Sequence, residues 1–256
     1  MRKTVLSLVN VSFDYPGGRK ALRNVSFDVA EGESLGIVGP SGAGKTTLLL
    51  HLNGLLRGRG EVAICGEAVG RDNLAWVRSR VGLVFQDPND QLFMPTVLED
   101  ILFGPLSLGL DAEEAGVRAV WILEALGLGE ELERSPDLLS LGQKKKTALA
   151  GILVLEPVIV VLDEPTANLD PRARRWLIED LSRLEESTKV IASHDLDFVW
   201  ETCNRVVILD GGTVAADGPC QELLRNRALL ESHGLEVPPS AVYSENPREP
   251  KKYMPV

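Results

Sequence analysis

The chain has 256 residues, of which 44% are hydrophobic and 25% are charged, and its formal net charge is −10. This size and composition suit one large α/β domain with a substantial core and argue against general disorder. The acidic charge disfavours a broad nucleic-acid interface, and no run of about 18 apolar residues is present that could cross a bilayer.

Predicted strands and helices alternate along most of the chain. Residues 3–13 and 21–29 alternate apolar and polar side chains, as half-buried strands do, and turn residues at 15–18 separate them. The later elements are a strand at 33–38, a helix at 46–56, a strand at 80–85, helices at 111–126 and 143–155, a strand at 158–162, a helix at 172–186, a strand at 189–193, a helix at 195–203, and a hairpin of 206–209 with 213–216. This alternation predicts a mostly parallel sheet covered on both faces.

The two ends of the chain and the cysteines carry weaker signals. Residues 1–10 hold two positive charges but only a short, broken apolar stretch, so they are not interpreted as a signal peptide. Residues 236–256 are rich in proline and charge, which favours a mobile or extended tail over one that docks on a partner. Cys65, Cys203 and Cys220 are widely spaced without a ligand pattern, which predicts free thiols in a reducing compartment.

A phosphate-binding loop lies between the strand at 33–38 and the next helix. Its G-x-x-x-x-G-K-[ST] spacing is met by Gly39, Pro40, Ser41, Gly42, Ala43, Gly44, Lys45 and Thr46. The glycines let backbone N–H groups turn towards phosphate oxygens, and the dipole of the following helix favours negative charge. The flanking strand and helix argue against a chance glycine-rich turn, so the loop predicts ATP binding. Alone, it fits a transporter ATPase, a kinase or a GTPase.

Three side chains of this loop have expected roles. Lys45 is predicted to reach the β- and γ-phosphates, the Thr46 hydroxyl to ligate Mg²⁺, and Thr47 to donate to the α-phosphate.

A pair of carboxylates ends the apolar strand at 158–162. A parallel sheet presents the carboxyl ends of its strands to ligands, so Asp163 and Glu164 are expected at the same edge as the phosphate loop. Asp163 is predicted to hold Mg²⁺ through water, and Glu164 to orient or deprotonate the attacking water. Alone, the pair could equally cap a helix.

The sequence resembles ATP-binding cassette (ABC) proteins in several motifs that occur in the family's order. The residues before position 163 include a run similar to the LSGGQ signature, namely Leu139, Ser140, Leu141, Gly142 and Gln143. Residues 163–170 resemble the joined Walker B and D-loop motifs, ending in Asp170. Gln86 matches the Q-loop glutamine, His194 the switch histidine, and Tyr15 the aromatic residue that stacks on adenine.

The resemblance implies a fold and an assembly. The fold would be a P-loop ATPase domain over residues 1–235, with a mostly parallel core sheet, an N-terminal antiparallel β subdomain and a helical signature subdomain at about 87–155. Two such domains would pair head to tail, so that Ser140 and the Gly142 amide face the γ-phosphate held by the other subunit. Gln86 would offer its amide oxygen to Mg²⁺, and His194 would contact the γ-phosphate and orient water.

The signature departs from the family's pattern at one position, and a run of lysines follows it. Leu141 replaces the first glycine of LSGGQ, which narrows backbone freedom and adds bulk near a phosphate, so reduced competence of that site is an open alternative. Residues 144–146 are three consecutive lysines, interpreted as a solvated helix face.

Residues 86–106 resemble the ATPases of energy-coupling-factor importers and their cobalt and nickel relatives. Residues 11–18 and 143–151 are similar to the same branch of the family. This implies a second ABC ATPase as a homo- or heterodimer partner, an integral membrane scaffold, a substrate-capture subunit, and a peripheral position on the cytoplasmic face of the cell membrane. Residues 87–106 would grip the scaffold. The apolar members of this segment are assigned equally to that groove or to the subdomain core: Leu92, Phe93, Val97 and Leu98.

Two further hypotheses stay open. A soluble ABC ATPase for DNA repair or translation is disfavoured by the chain length and the acidic charge. A weakly hydrolysing subunit of an ATPase heterodimer is suggested by Leu141. The cargo, whether cobalt, nickel or a vitamin, is not encoded in this subunit.

Overall fold

The computed structural model of the protein describes residues 3–184 and 187–243. The strands are β1 (Thr4–Asp14), β2 (Lys20–Ala30), β3 (Ser34–Val38), β4 (Arg59–Ile64), β5 (Glu67–Ala68), β6 (Val81–Val84), β7 (Ile159–Asp163), β8 (Thr188–Ala192), β9 (Arg205–Asp210) and β10 (Thr213–Pro219). The helices are α1 (Lys45–Leu52), α2 (Leu74–Arg80), α3 (Val97–Ser107), α4 (Ala112–Ala125), α5 (Leu141–Leu153), α6 (Pro171–Arg183), α7 (Leu196–Thr202), α8 (Cys220–Leu223), α9 (Arg227–Ser232) and α10 (Pro239–Tyr243).

The central layer is a six-stranded sheet in the order β10-β9-β3-β8-β7-β6. Its strands pair in parallel except for the β9–β10 hairpin. Every residue of β3, β7 and β8 is buried, because α1 with strands β1 and β2 packs on one face of the sheet and α5, α6 and α7 pack on the other. The parallel order places the carboxyl ends of β3, β7 and β8 side by side, which is where the site lies.

A four-stranded antiparallel sheet, in the order β2-β1-β4-β5, forms a second layer. Its buried side chains, including Leu6 and Leu22, share one hydrophobic cluster with α1 and one face of the central sheet. The predicted α/β class with a parallel core and an N-terminal antiparallel part is therefore confirmed.

The helices α3, α4 and α5 enclose a smaller cluster of their own, centred on Val97, Ile101, Ala119 and Leu123. Capping boxes define where two of these helices begin: Thr96 with Glu99 starts α3, and Ser140 with Gln143 starts α5. Because Ser140 is the cap, α5 starts at Leu141, two residues before the predicted position.

The structure contains elements that periodicity did not reveal, namely β4, β5, α2, α3, α8, α9 and α10. In the C-terminal segment, residues 239–243 form α10, where Ala241 is buried and the Ser240 N–H donates to Asp197 at 2.8 Å. This differs from the expected extended tail for those residues, and the rest of that predicted tail, 244–256, lies outside the described residues. Across the described ranges, no helix is both long and apolar enough to span a membrane.

Candidate functional site

The phosphate loop curls between β3 and α1 because its glycines adopt backbone conformations that other residues rarely take. Gly39, Gly42 and Gly44 have φ angles of 153°, 80° and 106°. A Cβ on Gly39 would lie 2.0 Å from the Leu209 carbonyl oxygen, and one on Gly44 would lie 2.5 Å from that of Ala21. The loop is therefore held close to two neighbouring strands, and glycine is required at both positions.

Lys45 lies at the centre of this loop and is nearly buried, with 8% of its surface exposed. Its Nζ donates to the carbonyl oxygens of Gly39 at 2.9 Å and Pro40 at 3.3 Å. The same ammonium lies 3.7 Å from Glu164 Oε1. Lys45 is thus held by the loop, and its ammonium lies next to the carboxylate of Glu164, the residue that follows β7.

A cleft of about 310 Å³ opens over the loop. Its lining is Tyr15, Arg19, Ala21, Ser41, Gly42, Ala43, Gly44, Lys45, Thr46, Thr47, Gln86 and Glu164. The Tyr15 hydroxyl hydrogen-bonds Thr47 Oγ1 at 3.0 Å, and its ring packs edge-on against Phe13 at 4.9 Å between centroids. The structure therefore brings the predicted adenine-stacking tyrosine, the phosphate loop and the Q-loop glutamine to one cleft.

Asp163 provides the test of whether this cleft can hold Mg²⁺. Its side chain is 4% exposed, and Oδ1 has no hydrogen-bond partner within the described part of the chain. Burial raises the pKa of Asp163, while a hydrogen bond with the Thr46 side chain opposes that rise. An orphaned buried carboxylate oxygen beside a threonine hydroxyl suits a hard divalent cation, so Asp163 and Thr46 fit the predicted set, and Gln86 lines the same cleft.

Glu164 is held in a strained backbone conformation. Its φ angle is 44°, a region that costs a residue with a side chain about 1–3 kcal/mol and is enriched at functional sites. Its Oε2 accepts from the His194 backbone N–H at 3.0 Å and from His194 Nδ1 at 2.7 Å. The carboxylate therefore points into the cleft, and the His194 ring, 68% exposed, lies at its rim.

The signature residues lie at a second cleft of about 500 Å³. Its lining is Gly127, Leu128, Ser140, Leu141, Gly142, Gln143, Lys146, Asn168, Leu169, Asp170, Arg172, Ala173 and Trp176. No residue of this lining belongs to the lining of the phosphate-loop cleft. Within one chain, the signature and the phosphate loop are therefore parts of two different sites.

Leu141 does not have the strain expected for a residue that replaces a glycine. It is the first helical residue of α5 and does not have a positive φ angle. Backbone freedom is therefore not needed at this position, and the expectation that Leu141 narrows it has no counterpart in the structure.

Lys145 lies in a different environment from the one that its sequence predicts. The run of three lysines predicts a solvated helix face, but Lys145 is 5% exposed, and its Nζ donates to the carbonyl oxygens of Glu164 at 3.3 Å and Pro165 at 2.9 Å. Burial lowers its pKa to about 8, against the opposing charges of Asp87, Glu164 and Asp163. Its helical spacing with buried Ala148 and Ile152 was the available signal.

The other two lysines of this run also have partners. Lys144 Nζ donates to Asn89 Oδ1 at 2.8 Å, and Lys146 Nζ donates to the Leu126 carbonyl at 2.7 Å while lying over the Trp176 ring.

The D-loop region connects to the His194 segment through an arginine that the sequence did not single out. Asp170 caps α6 by accepting from the Ala173 N–H at 2.7 Å. One turn later, Arg174 Nε donates to Asp195 Oδ2 at 2.8 Å. This ion pair joins α6 to the residue that follows His194.

The apolar residues that the sequence assigned equally to a partner groove or to the subdomain core lie in different environments. Val97 is fully buried in the helical cluster, and Leu92 and Leu98 are partly buried against neighbouring clusters. Phe93 is 63% exposed and packs edge-on against Phe103, which is 46% exposed. Val97 therefore belongs to the core, and Phe93 to an exposed aromatic pair.

Two hydrogen-bonding side chains fix this segment. Asp100 Oδ1 accepts from the Phe93 N–H at 3.0 Å and the Met94 N–H at 3.1 Å. Gln91 Oε1 accepts from the Phe85 N–H at 3.3 Å, and its Nε2 donates to the Ala148 carbonyl in α5 at 3.2 Å. The aromatic pair is thus tied to both the end of β6 and the signature helix.

Comparison with known proteins identifies relatives over most of the chain. The model of the ABC transporter family matches residues 22–167. A protein of Gloeobacter violaceus, assigned as an ABC transporter ATP-binding protein, is 50% identical over 91% of this chain and 96% of its own length. The energy-coupling factor transporter ATP-binding protein EcfA of Carboxydothermus hydrogenoformans is 48% identical over 91% of this chain and 87% of its own length.

Solved structures agree with the fold. CbiO1 of Clostridium perfringens, part of the ABC transporter complex CbiONQ, superposes with a TM-score of 0.79 at 31% identity, covering 90% of this chain and 94% of that one. A dimeric ATP-binding cassette in a post-hydrolysis state with ADP and phosphate superposes with a TM-score of 0.76 at 30% identity, covering 84% and 98%.

Proposed function

This chain belongs to the ABC transporter family and is an ATPase, and we propose that it is the ATP-hydrolysing subunit of an energy-coupling-factor-type importer of a small micronutrient. Its similarity to EcfA and CbiO1 supports that branch. The proposed cargo class is a cobalt or nickel ion or a vitamin, captured by a separate membrane subunit.

The observation that carries this proposal is the physical link between the ATP cleft and an exposed aromatic pair. Gln86 lines the cleft, and seven residues later Phe93 packs edge-on against Phe103 at the surface. Exposed aromatic residues of this kind are typical of protein interfaces. A change at the nucleotide can therefore be passed along one short segment to a docked membrane scaffold.

The chemistry is assigned to the residues of the cleft. The backbone of the phosphate loop and Lys45 bind the triphosphate, Tyr15 stacks on the base, and Glu164 acts as general base for the attacking water, held by His194. Mg²⁺, bound by Thr46, Gln86 and Asp163, would neutralise the charge of the phosphates. Catalysis then depends on positioning and charge stabilisation more than on covalent chemistry.

The assembly follows from the separation of the two clefts. ABC ATPases function as dimers, and we assign the signature cleft of each subunit to the γ-phosphate held by its partner. ATP would close the pair like a clamp, and hydrolysis would reopen it. Membrane partners would keep this subunit peripheral, on the cytoplasmic face of the cell membrane.

A weakly hydrolysing subunit is the second candidate, and the geometry favours it less. Leu141 has no positive φ angle, and Ser140 and Gln143 still form the helix cap. A non-transport ABC ATPase is the third, and the exposed Phe93–Phe103 pair beside the Q-loop argues for a docked partner instead.

The test is reconstitution of the full chain with the membrane subunits of its source. We expect ATP-dependent uptake of one of three labelled cargoes, Co²⁺, Ni²⁺ or biotin, into proteoliposomes. The double variant Phe93→Ala, Phe103→Ala should lose binding to the membrane subunits while keeping ATP affinity.

The matched control is Val117→Ala, Trp121→Ala, which removes two side chains on α4 that are 70% and 68% exposed. Equal loss of binding in both double variants would contradict the assignment of the aromatic pair. Stable association with nucleic acid, and with no membrane protein, would contradict transport.

A further inference from the structure

Lys145 makes two hydrogen bonds that the known motifs do not account for. Its side chain leaves α5 two residues after Gln143 and ends on the carbonyl oxygens of Glu164 and Pro165. Lysine is almost never this deeply buried unless it is paired, because removing an ammonium from water is costly. The burial of this ammonium therefore requires those carbonyl contacts.

The segment that Lys145 holds is a strained turn. Glu164 has a φ of 44°, and its carbonyl oxygen also accepts from the Ala167 N–H at 3.1 Å. On the other side, the Glu164 N–H donates to the Ala192 carbonyl at 2.8 Å in the neighbouring strand β8. The backbone that carries the general base is thus fixed between the sheet and Lys145.

The helix that carries Lys145, α5, also carries the signature at its N-terminus. Ser140 is exposed at the start of α5, and the reciprocal bonds with Gln143 hold that end rigid. About 7.5 Å of helix separates Ser140 from Lys145. The signature and the contact with the turn at Glu164 and Pro165 therefore lie about one and a half turns apart on one helix.

We propose that Lys145 is a positioning residue that couples the two ATP sites of the dimer. Nucleotide bound by the partner's phosphate loop contacts the N-terminus of α5, and Lys145 passes the resulting shift to the Glu164 turn in its own site. The inference rests on the assignment of the signature to the partner's nucleotide. It adds a route by which occupancy of one site sets the geometry of the other.

The experiment compares wild type with Lys145→Met in the full chain, measuring ATP affinity, kcat and the Hill coefficient of hydrolysis. Methionine keeps the length and the apolar stem but donates no hydrogen bond. We expect ATP affinity within about twofold of wild type, kcat lowered roughly 10–100-fold, and a Hill coefficient reduced from above 1 to about 1.

Two variants separate positioning from general structural damage. Lys145→Arg keeps a cationic donor and should retain cooperativity even if the methionine variant folds poorly. Lys144→Met removes the neighbouring charge from the same helix and should leave all three quantities unchanged. Loss of cooperativity in the arginine variant, with its fold intact, would overturn the inference.

The remaining outcomes are also decisive. If wild type and Lys145→Met are equally cooperative, the coupling role of Lys145 is wrong and the paired sites stand. If wild type itself shows a Hill coefficient of 1, the coupling is contradicted, whereas the assignment of the signature to the partner's nucleotide stands, because sites shared between two chains can bind ATP independently.

Discussion

At the scale of single residues, the site is organised around one carboxylate with three different neighbours. Glu164 faces Lys45 on one side, accepts two hydrogen bonds from His194 on another, and is held through its carbonyl by Lys145. Lys45 and His194 each contact one oxygen of the carboxylate, and Lys145 holds the backbone of the same residue. The geometry therefore suits a base that must point at a water beside the γ-phosphate.

Replacement of Lys45 should abolish tight ATP binding. In Lys45→Ala the phosphates lose a buried ammonium, and truncating one partner of such a charge pair lowers affinity by about 30-fold or more. Isothermal titration with ATP measures the effect. Lys3→Ala, an exposed lysine outside the cleft, is the control, and near-normal affinity of Lys45→Ala would remove Lys45 from the site.

Replacement of Glu164 should separate binding from turnover. Glu164→Gln keeps the size and polarity of the side chain but cannot take a proton, so kcat should fall by about 10²–10⁴. ATP affinity should persist, and the dimer should accumulate in its ATP-bound form on size-exclusion chromatography. Glu130→Gln, at an exposed glutamate, serves as control. Normal hydrolysis by Glu164→Gln would show that another group is the base.

At the scale of elements, α5 combines functions that the sequence motifs treat separately. Its first turn carries the signature, its buried face carries Lys145, and Gln91 ties it to the Q-loop segment through the Ala148 carbonyl. The helix therefore carries the signature and contacts both the turn at Glu164 and the Q-loop segment.

Leu141→Gly should not raise turnover. Leu141 has a normal helical backbone as the first residue of α5, so glycine relieves no strain there and costs up to about 1 kcal/mol of helix stability. We expect kcat within about twofold of wild type and a Tm lowered by about 2–4 °C. Leu141→Ala distinguishes the side chain from the backbone. A large gain in kcat for the glycine variant would revive the impaired-site hypothesis.

At the scale of the whole molecule, two clefts without a common lining residue predict that a complete site needs two chains. This can be tested by subunit complementation. Lys45→Ala damages the phosphate loop, and Gly142→Asp places a negative charge where the partner's γ-phosphate is expected. Space exists for the new side chain, because a Cβ on Gly142 would lie 3.5 Å from Ala173 Cβ.

Each variant alone should hydrolyse ATP poorly, because both sites of a dimer formed by two copies of that variant are damaged. Mixing the two should restore hydrolysis, because mixed dimers contain one site with an intact loop and an intact signature. Phosphate release measured before and after mixing gives the answer. Mixtures no more active than the separate variants would contradict a site shared between chains.

The sequence alone determined the family resemblance, the phosphate loop and the identity of the cleft residues, because these depend on local spacing. Gly39 to Thr46 must lie between a strand and a helix, and a parallel sheet must bring Asp163 to the same edge. Element boundaries were less accurate where a side chain decides them, as at Ser140, whose cap starts α5 earlier than its apolar periodicity does.

Only the tertiary structure decided which polar side chains are buried and what they hold. Lys145 lies within a run of three lysines, and nothing local distinguishes it from its neighbours except the face of α5 on which it lies. The burial of that face depends on β7 ending beside it, some 20 residues later in the chain. Likewise, Phe93 and Val97 are both apolar, but Phe93 is exposed and Val97 is buried. This difference depends on how α3 packs against α4 and α5. Local spacing thus specifies the chemistry of the site, whereas contacts between distant segments specify its coupling.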